Sequence, residues 1–356
     1  MPDFNLTDGL PPLIDSYDLI VDARTPLEFE RDHIPGATNL PVVDNDQYAI
    51  VGTLHRSNAS MAMRDGIAMA MHNIAREMAR PDSPTRLPMR AKVLVYCARG
   101  GKRSKLWLDA FTSLNYGADR LVGGWKAYRQ NVRDNLEGAT QRLSYVVLVG
   151  KTGVGKTRLL DALRARGEQV LDLEALAQHR GSLMGRIPGV AQPPQKMFDS
   201  KLYDELRRFD SQRLVWIEAE GKKIGNLQIP DALVALVRTS HFVYVDAPMQ
   251  VREQVWTEDF GYFNEHLDEL IEMLRPLVPL VGKKIFAEWE AYATNGEGIL
   301  LFRAIMIDHY DVCYDRSHAT HYDRPHRTVS LTGFDDASIA NVVGELIEAS
   351  HQRPDV

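Results

Sequence analysis

YVVLVGKTGVGKTRLLDALRARG, residues 145–167, decides how the second half of this chain folds. The apolar run YVVLVG reads as a buried strand. Gly150-Lys151-Thr152-Gly153-Val154-Gly155-Lys156-Thr157 then matches G-x-x-x-x-G-K-[ST] without a mismatch, and TRLLDALRARG follows with helical periodicity. Strand, glycine-rich turn and helix is the order a phosphate cradle needs. Gly150, Gly153 and Gly155 free the loop, with Thr152 among them, to aim successive backbone N–H groups at phosphate oxygens. Lys156 adds a point charge and Thr157 can ligate Mg2+. These six residues are the candidate diphosphate site, and Mg2+ at Thr157 is the one cofactor it suggests. No tightly bound cofactor and no dedicated metal site are expected. Hydrolysis of a nucleotide would also need a carboxylate on a second strand. Asp172, Glu174, Glu218, Glu220 and Asp246 are available, but none ends a clean apolar run in Asp, so the cradle could grip a diphosphate without turning over ATP.

Working outward, strands are expected at 169–173, 213–218, 241–248 and 327–331. They alternate with helices at 155–166, 194–209 and 230–239, and then come helices near 249–259, 264–277, 281–294, 298–314 and 336–351. Upstream, the polar stretch NLEGATQRLS (135–144) marks a boundary, dividing the chain into residues 1–138 and 139–356. The first part repeats the alternation, with strands at 19–24, 38–42, 93–97 and 120–124 and helices that include 58–79 and 101–116, the latter stopped by Gly117. Strand–helix alternation predicts mainly parallel sheets covered by helices, an α/β fold in both parts with a helical C-terminal portion.

In VLVYCARGGKRS (93–104), Cys97 ends a strand and faces a helix N-terminus. Gly100 and Gly101 let the chain curl around the sulfur, unpaired N–H groups point at it, and Arg99, Lys102 and Arg103 add positive charge. All of this favours a thiolate and would cradle a persulfide, a perselenide or a phosphoryl group. Cys97 is therefore the candidate catalytic residue, with Arg99, Gly100, Gly101, Lys102 and Arg103 as its anion-binding loop. Cys97 and Arg103 also satisfy the Cys, five residues, Arg spacing of cysteine phosphatases, so the loop alone cannot separate phosphatase from sulfurtransferase. Cys313 lies in an apolar helical stretch and is expected in the core.

Of 356 residues, 44% are hydrophobic and 25% charged, which excludes a largely disordered chain. A net charge of −6 gives no bulk attraction for nucleic acid, so a polyanionic partner must meet a local basic surface. Lys222, Lys223, Lys283, Lys284, Arg207 and Arg208 could line such a path, with Trp216, Trp256 or Tyr262 as stacking platforms, although solvated lysines and core aromatics are the commoner outcome. RSHATHYDRPHR (316–327) reads as a polar, anion-contacting loop rather than a metal site. With two cysteines and no apolar leader or spanning run, a cytoplasmic protein with no membrane partner is expected.

VDARTPLEFERDHIPGATNLP (21–41), the Cys97 loop and GGWKAYR (123–129) together resemble the rhodanese superfamily over about residues 10–135. The resemblance implies a rhodanese-like parallel-sheet domain in which the loop cysteine carries sulfur or selenium. Asp22 and Arg24 are expected to form a buried charge pair, and His33 with Pro35 and Gly36 to shape a turn. A rhodanese-like domain fused to a P-loop domain, with QPPQKMFDSKLYDEL (192–206) and VWIEAEGKKIGNLQIP (215–230), resembles the bacterial tRNA 2-selenouridine synthase family. That resemblance implies a transferase acting on 5-substituted 2-thiouridine at the tRNA wobble position. Geranyl diphosphate first alkylates the sulfur, and selenium from selenophosphate then replaces the S-geranyl group. The P-loop would clamp the diphosphate, and Cys97 would receive or handle selenium. The alternatives are a sulfurtransferase, or a cysteine phosphatase with an NTP-binding regulatory domain; Tyr96, standing where tyrosine phosphatases have His, counts against the phosphatase.

Overall fold

A computed structural model of the chain describes residues 3–4, 14–321 and 327–351. Two compact units divide it: residues 1–139 with 193–207, and residues 140–192 with 208–356.

In the first unit, β1 (Asp3–Phe4), β2 (Leu19–Asp22), β3 (Thr38–Asn39), β4 (Lys92–Tyr96) and β5 (Gly117–Leu121) form one parallel sheet in the order β1-β5-β4-β2-β3. The helices are α1 (Pro26–Arg31), α2 (Asn45–Ser57), α3 (Ala59–Ala79), α4 (Lys102–Ser113) and α5 (Gly124–Gln141). Val93, Leu94, Val95 and Tyr96 are fully buried, as a central strand covered on both faces requires. From β2 the chain goes out to β3 and then crosses back to β4 on the other side. The ends of β2 and β4 therefore flank the point where the winding reverses, the usual place for a ligand crevice. Three details depart from the sequence expectations. α2, capped by a reciprocal Asp44–Gln47 capping box, was not anticipated. The helix expected to stop at Gly117 ends at Ser113, and Asn115 takes the left-handed turn at φ 59°. The supposed linker at 135–144 is helical through Gln141.

The second unit begins with β6 (Ser144–Val149), α6 (Lys156–Ala165), β7 (Gln169–Leu171) and α7 (Leu173–Ala177). The next helix, α8 (Gln195–Arg208), was expected in the second domain, but most of it belongs to the first unit. Its polar side chains decide this: Arg129 pairs with Asp199 at 2.5 Å, Ser200 donates to Asp32 at 2.7 Å, and Arg207 pairs with Asp15 at 2.7 Å. Arg207, a candidate for a nucleic-acid path, is thus committed to carboxylates. The second unit resumes with β8 (Leu214–Glu218), a hairpin of β9 (Lys223–Ile224) and β10 (Leu227–Gln228), α9 (Asp231–Thr239) and β11 (His241–Asp246). A helical block follows: α10 (Met249–Asp259), α11 (Leu267–Leu274), α12 (Val278–Val281), α13 (Lys283–Thr294), α14 (Gly298–Ile305) and α15 (Asp311–His321). β12 (Arg327–Ser330) and α16 (Asp336–His351) complete the unit, whose parallel sheet runs β12-β11-β6-β8-β7.

The helical block has its own core around Trp256, Trp289 and Phe302, so Trp256 is not a stacking platform, and neither is the buried Trp216. Two further expectations fail. Cys313 is exposed because it sits on the outer side of α15. The loop expected from 316 is helical through His321; of the three histidines there, His326 lies outside the described residues. Among the described residues no helix is long and apolar enough to cross a membrane.

Candidate functional site

The first site is the loop after β4. Gly100 and Gly124 take left-handed conformations at φ 68° and 58°, and a Cβ on Gly124 would collide with the Cys97 carbonyl. That close approach folds the loop over the sulfur, leaving Cys97 3% exposed. Gly101 N–H donates to Sγ at 3.2 Å, and the Ser104 hydroxyl lies 3.3 Å from it. Burial pushes the thiol pKa up. The hydroxyl and the backbone N–H groups of Ser104, Arg99 and Gly101 outweigh burial and hold it below the ordinary thiol value. Neutral donors thus do most of what the sequence assigned to cations. Arg103 does feel the thiolate, but its guanidinium is bound to Glu28 at 2.5 and 3.2 Å and lies over the Tyr48 ring. Lys102 Nζ faces the Met63 sulfur at 3.2 Å, and Arg99 is exposed.

The scaffold beneath is charged and closed. Arg24 and Asp22 are 2% and 0% exposed and pair at 2.5 to 3.0 Å, as expected, and Arg24 also donates to the Asp32 carbonyl at 2.6 Å. The Asp32 carboxylate accepts from Trp125 and Ser200. His33 Nδ1 donates to Phe29 O at 2.8 Å and the imidazole stacks on the Phe29 ring, which makes it part of the turn. Sequence reasoning missed Glu28, Ser104, Asp32 and Ser200. Glu28 had a detectable role as the capping partner of Thr25, but nothing local announces its bond to Arg103.

The second site is the loop after β6. Gly153 and Gly155 are left-handed, both at φ 83°, and Lys156 starts α6. Lys156 Nζ folds back onto the carbonyls of Gly150 and Lys151 at 2.9 and 3.4 Å. Arg252, nearly buried, braces the loop from α10: its Nε donates to Thr152 O at 2.8 Å while its other nitrogens grip Asp311 at 2.7 and 2.9 Å. No sequence signal joins these three. A cavity of about 500 Å3 is lined by Gly150, Thr152, Gly153, Gly155, Lys156 and Thr157, all six predicted residues.

Three of the five candidate carboxylates converge there. One oxygen each from Glu174, Glu218 and Glu220 lies within 4.8 Å of the others, and Thr157 Oγ1 reaches Glu174 at 3.5 Å. Burial and mutual repulsion push Glu174 and Glu220 up to about 8, and Glu218 is raised by the same causes. Oε1 of Glu218 is buried with no hydrogen-bond partner among the described residues. An unpartnered buried oxygen within a set of hard oxygen donors suits a divalent cation such as Mg2+. Asp172 instead caps α7 by accepting from Ala175 N at 2.8 Å, and Asp246 is exposed.

Comparison with known proteins agrees with both halves. Residues 10–131 match the rhodanese-like domain family, and residues 143–276 match the family described as the tRNA 2-selenouridine synthase AAA domain. The tRNA 2-selenouridine synthase of Nitrosomonas europaea is 30% identical over 263 residues, 73% of this chain and 67% of that protein. That of Nitrosomonas eutropha is 32% identical over 69% of this chain and 64% of its own length. That of Alcanivorax borkumensis is 28% identical over 83% of this chain and 88% of its own length. The chain thus spans about two thirds of the length of the first two relatives. An N-terminal rhodanese-like unit joined to a P-loop unit of this particular type places the chain in the tRNA 2-selenouridine synthase family.

Proposed function

We propose that this chain converts 5-substituted 2-thiouridine at the wobble position of tRNA into 2-selenouridine, with geranyl diphosphate and selenophosphate as co-substrates. The observation that carries the reading is the presence in one chain of two unlike anion cradles. One is built around a thiol held below its ordinary pKa, the other around a lysine on a phosphate loop.

At the P-loop, the thiocarbonyl sulfur attacks C1 of geranyl diphosphate, the C–O bond breaks, pyrophosphate leaves, and the base loses its N3 proton. Lys156 turns from its own loop carbonyls to the departing diphosphate. Thr157, Glu174, Glu218 and Glu220 would hold Mg2+, whose charge counters that of the diphosphate. Alkylation makes the sulfur a competent leaving group. Selenium then adds at C2 of the base, the C–S bond breaks, and geranyl thiolate departs and takes a proton. Selenophosphate already carries fully reduced selenium, so a perselenide on Cys97 would need an oxidant. The redox-neutral role open to the Cys97 thiolate is attack on phosphorus: the P–Se bond breaks, hydrogen selenide is released, and water hydrolyses the phosphocysteine. The backbone N–H groups of the loop, with Arg99 and Lys102, receive the phosphoryl oxygens.

Purified protein incubated with 2-thiouridine tRNA and geranyl diphosphate should yield S-geranyl nucleoside, and then selenonucleoside once selenophosphate is added, both read by mass spectrometry of nucleosides. Selenium incorporation without any requirement for geranyl diphosphate would refute the two-step scheme. Since the chain is acidic overall, tRNA binding should weaken steeply with salt through a local basic face.

A further inference from the structure

Beside the Cys97 loop the first unit holds a second cavity, of about 310 Å3, between α2, α3 and the start of α4. Its floor is Val42 and Ala62, both nearly fully buried, with Leu106 part-buried beside them. Its mouth is formed by Met63 and Ile67, 46% and 37% exposed. Val42 belongs to the same apolar cluster as Cys97, so this wall and the sulfur share packing. One end is different: Lys102 and Arg103 close it. Arg103 is neutralised by Glu28, whereas Lys102 makes its described contact with the Met63 sulfur and with no carboxylate among the described residues. An ammonium facing a thioether at the rim of an apolar slot is a poor arrangement for the free protein. It is a good one for an amphiphilic anion, with its tail in the slot and its charge on Lys102.

We infer that this slot takes the alkyl tail of the S-alkylated base during the selenium step, and that Lys102 receives the departing thiolate. The inference rests on the proposed function, because a geranyl thiolate is the one species in that scheme that couples an apolar chain to a new negative charge. The slot lies in the unit that carries Cys97, where the scheme places the selenium step. Burying the tail there favours C–S cleavage by holding the thiolate against Lys102, away from the base it has left.

The test uses the full chain with Ile67→Glu, a substitution at an exposed position whose folding is checked by circular dichroism. Preformed S-geranyl-2-thiouridine tRNA and S-methyl-2-thiouridine tRNA are each given selenophosphate. An unpaired carboxylate in the slot should raise KM for the S-geranyl substrate by about 30-fold and leave the S-methyl substrate unchanged. Equal losses on both substrates, or no loss on either, would overturn the assignment. Calorimetric titration with geranyl phosphate gives a reading independent of turnover. Binding that survives Lys156→Ala and is lost in Ile67→Glu supports the slot even if no selenonucleoside forms; binding unchanged in Ile67→Glu removes it.

Discussion

The loop after β4 and the loop after β6 occupy equivalent positions in two parallel sheets, yet they are electrically unlike. Around Cys97 most charges are already settled, with Arg24 on Asp22, Arg103 on Glu28 and the sulfur on neutral N–H and hydroxyl donors, while Lys102 waits at the rim against the Met63 sulfur. Around Lys156 they are not. The ammonium is spent on carbonyls of its own loop, and three carboxyl groups crowd beside it, one with a buried oxygen that has no hydrogen-bond partner among the described residues. The difference teaches that a nucleophile can be prepared in advance by a finished hydrogen-bond network, whereas a site for a multiply charged leaving group is left unbalanced until its ligands arrive.

The most damaging way to break the comparison is to unsettle the finished side. Asp22→Ala strands the buried Arg24 guanidinium and should cost about 3–5 kcal/mol in the first unit. Hydrogen exchange at the β4 amides in urea would measure it, and an unchanged exchange midpoint would mean that the charge pair is not what holds the loop. Next comes the unfinished side, where Lys156→Ala should lower geranylation by about 10²–10³-fold. Cys97→Ala should instead leave geranylation intact and abolish selenium incorporation, and nucleoside mass spectrometry separates the two. Equal loss of both steps in both variants would erase the division of labour.

A smaller effect sharpens the contrast in charge. Glutamates whose pKa is raised to about 8 in the fold stabilise the metal-free protein below their ordinary range, and that contribution is lost as pH rises through about 8. The Tm of the metal-free chain should therefore fall between pH 6 and pH 9. Glu218→Gln, by removing one member of the repelling set, should flatten that fall and add about 1–3 kcal/mol at pH 8, while losing the Tm gain that Mg2+ gives the wild type. An equal Mg2+ effect in both proteins would place the cation elsewhere. The smallest effect belongs to Ser104→Ala. It raises the Cys97 pKa, so alkylation by iodoacetamide near pH 7 should slow by about tenfold. If Arg99→Ala or Lys102→Ala slows it more, the cations rather than the neutral donors hold the thiolate.

Much of this was legible in the sequence because it is local. YVVLVG and VLVY are uninterrupted apolar runs, and such runs become central strands of parallel sheets. Gly153 and Gly155 of GKTGVGKT sit where the backbone must turn left-handed, and the Asp22–Arg24 pair is two residues apart. What stayed hidden links distant positions. Asp311 reaches Thr152 through Arg252, Glu28 neutralises Arg103 from 75 residues away, and Ser200 carries α8 into the first unit by bonding Asp32 across 168 residues. α2 was missed because none of its residues is buried: Tyr48 and Val51 line the cavity while Ile50 is exposed, so its apolar side chains mark no core-facing stripe.

From the amino acids alone came the two α/β halves, the identity of both loops and the family to which they point, because glycine placement, strand hydrophobicity and one cysteine or lysine are properties of short segments. Tertiary structure alone decided which charges are free. A guanidinium or a carboxylate is defined electrically by whatever the rest of the fold brings within about 3 Å of it, and that distance is set by packing between residues the chain keeps far apart.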